Sequence, residues 1–324
     1  MACNLLSLFP KVLTISLYCY TSAIVIYYVS YNNVIIPIII ITILVIALYT
    51  YLLVIYVGPG SPLDHKPLII KNLANAEIGL EEPPSFMTLK NYTLKSDGRL
   101  RLCRSCFVWK PDRTHHCSNC NRCFLRMDHH CPWFASCIGF KNQKFFIQFL
   151  EYTTLYSIII CAITSNFLYH WFKQENYENE DINLQVVFVW LLAIVTSISM
   201  IAFTWYSIYL VVNNMTIIES SALRAHREEL EILHDSGHPD PMLASRAVNI
   251  FDLGSKRRNW DSVMGSTWME WLFPITTYRQ RSSIANGSYD DQGLYFPVDK
   301  KLKRDIQLQN RLLTRLTPRS SMDV

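Results

Sequence analysis

Charge is what this sequence has too little of. Only 17% of its 324 residues are Asp, Glu, Lys or Arg, against about 25% in an average soluble protein, while half are apolar. That imbalance excludes an ordinary soluble domain and asks for a membrane. The net charge of +4 is small as well, and adds no more than a mild preference for an anionic leaflet. Internal repeats and low-complexity tracts are missing. So is a small-residue cleavage site after the first apolar run, which argues that this run is retained and is not a signal peptide, despite its short, weakly basic start.

What is there, first, is apolar length. Val12–Val29 follows Lys11, and Val34–Val57 follows the linker Tyr31-Asn32-Asn33. Phe145–Phe172 and Val186–Val212 are a third and a fourth run. Each is about as long as a helix that crosses a bilayer, so four spans are expected, with both termini on one side. The stretch from Gly58 to Lys144 carries 13 Lys or Arg against 7 Asp or Glu, and the loop from Lys173 to Gln185 carries one Lys against four acids. Lys and Arg stay inside, which puts the long loop and both termini in the cytosol. The chain then divides into residues 1–57 (N-terminal segment and spans 1 and 2), 58–144 (inserted cytosolic loop), 145–212 (spans 3 and 4 with a short luminal loop) and 213–324 (cytosolic tail). Within the loop, residues 63–101 show no sustained period and are left between short strands and irregular structure. Ile217–Asp235 has apolar and charged positions at helical spacing and is expected to carry a helix out of the membrane. Glu151, near the start of the third span, is expected to snorkel to the cytosolic edge. Glu270–Arg281 mixes Trp, Leu, Phe, Ile and Tyr with Arg, and either lies on the bilayer surface or packs against the loop.

The second feature is cysteine. Seven of ten lie between Leu102 and Phe140, together with four histidines. Cytosolic thiols stay reduced, so the cluster speaks for metal or catalysis and against a disulfide framework. Cys19 and Cys161 are small apolar residues within spans; Cys3 is a weak candidate for a lipid anchor. C-x2-C pairs occur at Cys103/Cys106 and Cys117/Cys120, with Cys123 one further step along, a turn geometry that lets two thiolates grip one zinc. Two closed tetrahedral sites need eight donors. The stretch offers eleven: Cys103, Cys106, Cys117, Cys120, Cys123, Cys131, Cys137, His115, His116, His129 and His130. Six thiols and two imidazoles, or seven and one, would fill both. The first count leaves a thiol over.

The surplus points to Met127–Trp133. A thiol becomes a strong nucleophile when a neighbouring imidazole takes its proton, and a carboxylate behind the imidazole fixes its tautomer. Asp128 and His129 are the right residue types, yet adjacency in sequence does not align three side chains. Spacing alone also leaves open whether Cys131 or Cys137 is the spare thiol.

The run Asp128-His129-His130-Cys131, inside a cysteine-rich loop between the second and third of four spans, resembles the DHHC family of protein S-acyltransferases. The resemblance extends through Lys110-Pro111, Arg113, His116-Cys117, Trp133, Cys137-Ile138-Gly139 and Asn142. It implies an all-α integral membrane protein with four transmembrane helices and a cytosolic zinc domain (about 101–144) between helices 2 and 3. It further implies one structural zinc on Cys103, Cys106, His116 and Cys123, and a second on Cys117, Cys120, His130 and Cys137. Cys131 is then the nucleophile, His129 its base and Asp128 the orienting carboxylate, while His115 has no assigned role. The implied activity is protein S-palmitoyl transfer from a long-chain acyl-CoA through an acyl-enzyme to cysteines of cytosolic or membrane proteins. Lys110, Arg113 and Arg126 are candidates to face the CoA phosphates, with bracing of the loop as the alternative, and Trp133 is a further candidate acyl-CoA contact. Partners are the bilayer and protein substrates, with no nucleic acid.

Other marks depart from the family. Gly58-Pro59-Gly60 stands where Asp-Pro-Gly is usual, and Thr216-Ile217-Ile218-Glu219 keeps only the first Thr and the Glu of Thr-Thr-x-Glu. Asn249 resembles the anchor of the tail segment that packs on the cysteine-rich domain. Tyr295, in Gly293–Val298, resembles an aromatic tail element of fungal members, and fungal vacuolar enzymes suggest the vacuole membrane, with Golgi or endoplasmic reticulum as the alternative. Two competing classes stand beside the enzyme: a zinc-bearing recruitment module in which Cys131 is merely buried, and a transporter. The transporter is the poorest, because the spans carry almost no charge besides Glu151 and show no paired broken helices.

Overall fold

The computed structural model describes residues 5–30, 33–94, 99–174, 181–235, 248–277 and 292–298; Cys3 and most of the loop after Lys173 lie outside them. Among the described residues, four helices are long and apolar enough to cross a membrane: Leu8–Val29, Ile35–Val57, Gln143–Lys173 and Leu184–Val212. The first begins before the apolar run does. Helix α1 covers Leu5–Ile24, takes in Lys11, and ends in a wider π-turn over Val25–Val29. Helix α2 (Ile35–Val57) starts where the linker supplies a cap, since the Asn33 side-chain oxygen accepts from the amides of Ile35 and Ile36 at 2.9 and 3.3 Å. Asn183 does the same for the amide of Gln185 at the start of the fourth span, at 2.9 Å.

The chain forms two compact units, and their boundaries differ from the linear division. One takes in the four spans together with Cys131–Ser136; the other takes in Val57–His130, Cys137–Gln143 and the residues from Leu210 onward. In the helical unit, large apolar side chains such as Ile38, Val45, Ile198 and Trp205 are exposed, as they are where lipid is the solvent. Hydroxyl groups turn inward and satisfy one another: Tyr18 Oη and Thr153 Oγ1 lie 2.6 Å apart, and Tyr156 Oη lies 2.8 and 2.7 Å from the hydroxyls of Thr21 and Ser22. Away from water, an unpaired hydroxyl would be costly.

The second unit opens where Gly58 and Gly60, both at positive φ, end α2. Residues 63–101, undecided from sequence, hold two 3-10 turns (Pro62–Asp64, Lys66–Leu68) and two short helices, α3 (Leu73–Ile78) and α4 (Ser85–Lys90). Buried Asp112 ties the end of this segment down by accepting from the amides of Tyr92 and Thr93, both at 2.9 Å. Among the described residues, six strands of two or three residues pair as three hairpins: β1 (Leu102–Cys103) with β2 (Val108–Trp109), β3 (His115–Cys117) with β4 (Arg122–Phe124), and β5 (His129–Cys131) with β6 (Ser136–Ile138). The departed Gly-Pro-Gly still docks through its backbone, with the Leu125 amide on Gly60 O at 3.0 Å and the Lys141 amide on Pro59 O at 3.2 Å. Gly139 is required there, because a Cβ would stand 2.8 Å from Leu125 O and 2.9 Å from Pro59 Cβ. A small core of Leu68, Ile70, Met87, Trp109, Leu125 and Leu294 is flanked by Phe140 and Tyr295, so the Gly293–Val298 segment closes onto the cysteine-rich loop.

The start of the tail is held by charge. Helix α5 (Gln143–Lys173) and helix α6 (Leu184–Val212) are the third and fourth spans, and α7 (Ile217–Asp235) follows. Thr216 and Glu219 cap α7 reciprocally: the Glu219 amide donates to Thr216 Oγ1 at 3.2 Å, and the Thr216 amide to Glu219 Oε2 at 2.9 Å. Arg113 grips that carboxylate with two donors, both at 2.7 Å, and donates to the side chain and carbonyl of Asn214 at 2.9 and 3.0 Å. Its guanidinium is fully buried and lies over the Phe251 ring at 4.6 Å. Arg113 itself has φ +63°, a backbone conformation that costs energy in a non-glycine residue and persists only when its surroundings enforce it.

Burial pushes the Glu219 carboxyl up, but the charge and hydrogen bonds of Arg113 outweigh it and hold the group below its ordinary value. Its contribution is therefore complete above the unfolded pKa, about 4.3, and is lost as pH falls through the lowered folded value. Acidification below pH 4 is expected to release the tail, read as new proteolytic cuts between residues 213 and 277. At neutral pH Glu219→Ala leaves Arg113 buried and unpaired, at a cost of about 3–5 kcal/mol. The double variant Arg113→Met/Glu219→Leu is expected to recover part of the lost thermal stability.

Candidate catalytic and metal site

The hairpins bring the donors together in two sets of four. Nδ1 of His116 lies 3.5, 3.2 and 3.7 Å from the sulfurs of Cys103, Cys106 and Cys123. Nδ1 of His130 lies 3.6, 3.3 and 3.6 Å from those of Cys117, Cys120 and Cys137, and Cys120 Sγ lies 3.7 Å from Cys137 Sγ. Zinc bonds of about 2.3 Å to sulfur and 2.0–2.1 Å to nitrogen, at tetrahedral angles, require donor separations of about 3.5–3.8 Å. Both sets fit zinc. Each is complete with four protein donors, the form of a structural site with no position kept for a substrate.

The two sets interleave along the chain, and strand geometry says why. Successive side chains of a strand point to opposite faces, so the neighbours His116 and Cys117 on β3 serve different sets. Across the hairpin His116 stands opposite Cys123. The same alternation on β5 turns His130 to its metal set and gives His129 and Cys131 the opposite face of the strand.

Asp128 precedes that strand and is fixed from three directions. Its amide donates to Ile138 O at 2.9 Å, Oδ1 accepts from the amide of Ile217 in the first turn of α7 at 2.8 Å, and Oδ2 lies 2.8 Å from His129 Nδ1. A carboxylate at that nitrogen holds the proton on Nδ1 and makes Nε2 the basic nitrogen of His129. Cys131 belongs to neither four-donor set and is buried, 6% exposed.

Within the helical unit Cys131 lines a cavity of about 270 Å3. The cavity runs between the spans past Tyr51, Phe149, Tyr156, Leu192 and Ala193, and its walls are overwhelmingly apolar. Its Cys131 end is shaped by the one-turn helix Pro132–Phe134: Tyr51 Oη donates to Trp133 O at 2.8 Å and its ring stacks on Phe134 at 4.9 Å. Ordinary Tyr and Phe inside an apolar run announced nothing of this role in the sequence.

The remaining candidates separate by burial. Arg126 is buried, donates to the Asn214 side chain at 2.8 Å and lies 5.9 Å from the Phe296 ring. Burial and the neighbouring Arg113 charge push its pKa down to about 9, against the pull of Glu219 and Asp128. Both arginines are thus engaged inside the protein, the geometry of the bracing alternative. Lys110 is half-buried, and Trp133 is 56% exposed. His115 is half-buried: burial, then the charge of Arg101, lowers its pKa to about 4 and keeps it neutral. Asn214 went unnoticed in the sequence. It sits at φ +47°, accepts from both arginines and donates to Phe251 O at 2.7 Å; an Asn directly after a long apolar run is the one local signal that marks it. Asn249 donates to Asn213 O at 2.6 Å, and so ties the tail to the end of the fourth span.

The two donor sets make a stoichiometric prediction. The purified chain is expected to carry two zinc ions by metal analysis, and Cys103→Ser or Cys117→Ser to carry fewer, with early thermal unfolding. Loss of a structural zinc removes on the order of 10 kcal/mol of folding free energy. A metal content of two in both variants contradicts the assignment.

Comparison with known proteins agrees with this geometry. Residues 96–223 match the family model described as DHHC palmitoyltransferase. The palmitoyltransferase PFA3 of Candida glabrata is 46% identical, covering 99% of this chain and 97% of its own length. That of Saccharomyces cerevisiae is also 46% identical, covering 99% and 95%. The palmitoyltransferase ZDHHC15 of Xenopus laevis is 32% identical over 73% of this chain and 67% of its own. A chain of four apolar helices whose cysteine-rich loop spends eight donors on two metal sets and keeps one thiol back is thereby a member of the DHHC palmitoyltransferase family.

Proposed function

We propose that this palmitoyltransferase takes its acyl group from a long-chain acyl-CoA and carries it on Cys131. The observation that supports this most directly is that Cys131, the one cysteine of the Leu102–Phe140 cluster outside both metal sets, lines the apolar cavity. His129, oriented by Asp128, takes the Cys131 proton. The thiolate attacks the thioester carbonyl, the carbon–sulfur bond to CoA breaks, and the proton passes from His129 to the departing CoA thiolate. In the second half the thiol of a substrate protein gives its proton to His129 and attacks the acyl-enzyme. Cys131 leaves as thiolate and is reprotonated, so the cycle closes without an oxidant or reductant. Zinc on the two sets builds the loop and takes no part in these steps. Lys110 is the basic candidate left to meet a CoA phosphate and Trp133 a further candidate contact, while Arg113 and Arg126 brace the loop. The excess of Lys and Arg in residues 58–144 puts that loop and both termini in the cytosol, where acyl-CoA and protein thiols are found. We place the chain in an intracellular membrane, the vacuolar one first and Golgi or endoplasmic reticulum second.

Purified protein given labelled palmitoyl-CoA is expected to gain a hydroxylamine-labile label. Cys131→Ser, still holding two zinc ions, is expected to gain none; a recruitment module would take up no label in either form. A label that persists in Cys131→Ser rejects Cys131 as the carrier.

Chain length follows from the cavity. On α5 its walls run from Phe146 to Ile160, and antiparallel α6 contributes Phe203 at one end and Leu192 and Ala193 at the other. Ala193 is therefore far from the thiol. Each methylene buried is worth about 0.8 kcal/mol, so shortening the cavity by two methylenes is worth about tenfold. Ala193→Leu is expected to shift the 14- to 16-carbon ratio of acyl-enzyme by up to that factor toward the shorter chain. An unchanged ratio removes this end from the acyl site.

A further inference from the structure

Helix α2 has three tyrosines, and one of them is unlike the others. Tyr49 and Tyr56 are 52 and 84% exposed, whereas Tyr51 is fully buried. A hydroxyl turned into an apolar interior costs free energy unless it finds a partner. The packing of the ring does not call for it: the ring stacks on Phe134 at 4.9 Å and lies 5.5 Å from Phe149, contacts that phenylalanine would make as well. The hydroxyl goes instead to the backbone, donating to the carbonyl of Trp133 at 2.8 Å. Trp133 is two residues beyond Cys131.

The segment it grips is strained. Cys131 leads into the one-turn helix Pro132–Phe134, which ends at Ala135 with φ +47° and ψ 42°. That left-handed conformation costs energy in a residue with a Cβ and lasts only where its surroundings enforce it. Within the turn the Ala135 amide donates to Pro132 O at 3.0 Å. The Trp133 carbonyl is an acceptor at the end of a helix too short to serve it, and its donor comes from α2. Both partners and Cys131 belong to the unit of the four spans, and Tyr51, Cys131, Trp133 and Phe134 all line the same cavity. A bond from the span to the turn therefore governs where the thiol two residues earlier stands in that cavity. Tyr51 has a single hydroxyl proton. Committed to Trp133 O, it is not offered to a thioester oxygen, so the geometry speaks for positioning and against direct stabilisation of a developing oxyanion.

We propose that Tyr51 is a positioning residue for acyl transfer: its hydrogen bond to the Trp133 carbonyl holds the Pro132–Ala135 turn so that the Cys131 sulfur meets the thioester carbonyl carbon, from which the CoA sulfur departs with the bonding pair. This rests on Cys131 as the acyl carrier. Without the hydroxyl, the Trp133 carbonyl loses its donor in apolar surroundings. The turn shifts to relieve it and the sulfur loses its alignment, while the ring, and with it the wall that meets the acyl chain, stays in place.

The test is single-turnover labelling of the full chain with radiolabelled palmitoyl-CoA, comparing wild type, Tyr51→Phe and Tyr51→4-aminophenylalanine, which returns a donor at the para position. The amplitude counts the sites that can be acylated, so the rate constant per site is read apart from any loss of folded protein. Tyr51→Phe is expected to slow acylation per site about tenfold. The palmitoyl-CoA concentration at half-maximal rate is expected to stay within about twofold, as for an interaction that serves the transition state and not ground-state binding. The 4-aminophenylalanine variant is expected to recover most of the lost rate. A fall in amplitude alone, a change in half-saturation alone, an unslowed Tyr51→Phe, or no recovery with the restored donor overturns the proposal, because a packing role gives those results. Cys131→Ser, run alongside, separates the two readings. Label that persists there overturns the carrier and the positioning role together; no label there with an unslowed Tyr51→Phe overturns the positioning role alone.

Discussion

Eight donors set at the edge lengths of two tetrahedra are the constraint from which the rest of the cysteine-rich loop follows. Strands of two or three residues cannot persist as isolated hairpins, and the apolar core under them is small. Zinc on the two donor sets would supply the missing free energy, and four protein donors apiece are the form of a structural site. Because each set draws on residues on both sides of the other in sequence, the hairpins are locked in one mutual arrangement. That arrangement also fixes the backbone on which Asp128 and His129 stand.

Buried charge extends the same rigidity to the tail. Arg113 would be costly inside the protein alone, and its neutralisation by Glu219 requires that the first turn of α7 be in place. Asp128 depends on that turn too, since one of its oxygens accepts from the Ile217 amide while the other faces His129. The capping box that starts α7 therefore serves three ends: it closes a helix, pairs a buried arginine and orients a carboxylate. At Ile217, where the chain departs from Thr-Thr-x-Glu, the contact to Asp128 runs through the backbone.

The helical unit obeys a different solvent. With lipid outside, apolar side chains face outward and hydroxyl groups pair within, as Tyr18 with Thr153 and Tyr156 with Thr21 and Ser22. Cys131 lines the apolar space left between the spans.

Much of this was legible as pattern. The lengths of four apolar runs fix the spans because a bilayer has one thickness, and C-x2-C steps announce zinc because a turn of that length is needed to bring two sulfurs onto one ion. Helix α1 starts before the apolar run that marks its span, since Lys11 bounds the run without bounding the helix. Other features left no trace in one dimension. Asn214 looks like any asparagine until a helix end and two arginines are brought to it, and Arg113 and Arg126 read as surface cations until folding buries them. His129 and His130 are the same residue type side by side, yet one lies at a carboxylate and the other in a metal set. The sequence by itself determined which atoms were present and how many exceeded the needs of two ions, because counts and periods survive along a chain. Only the tertiary structure decided which thiol lines the cavity, which charges are neutralised and which tyrosine of α2 turns inward. Those depend on distances of a few ångströms between residues up to a hundred positions apart.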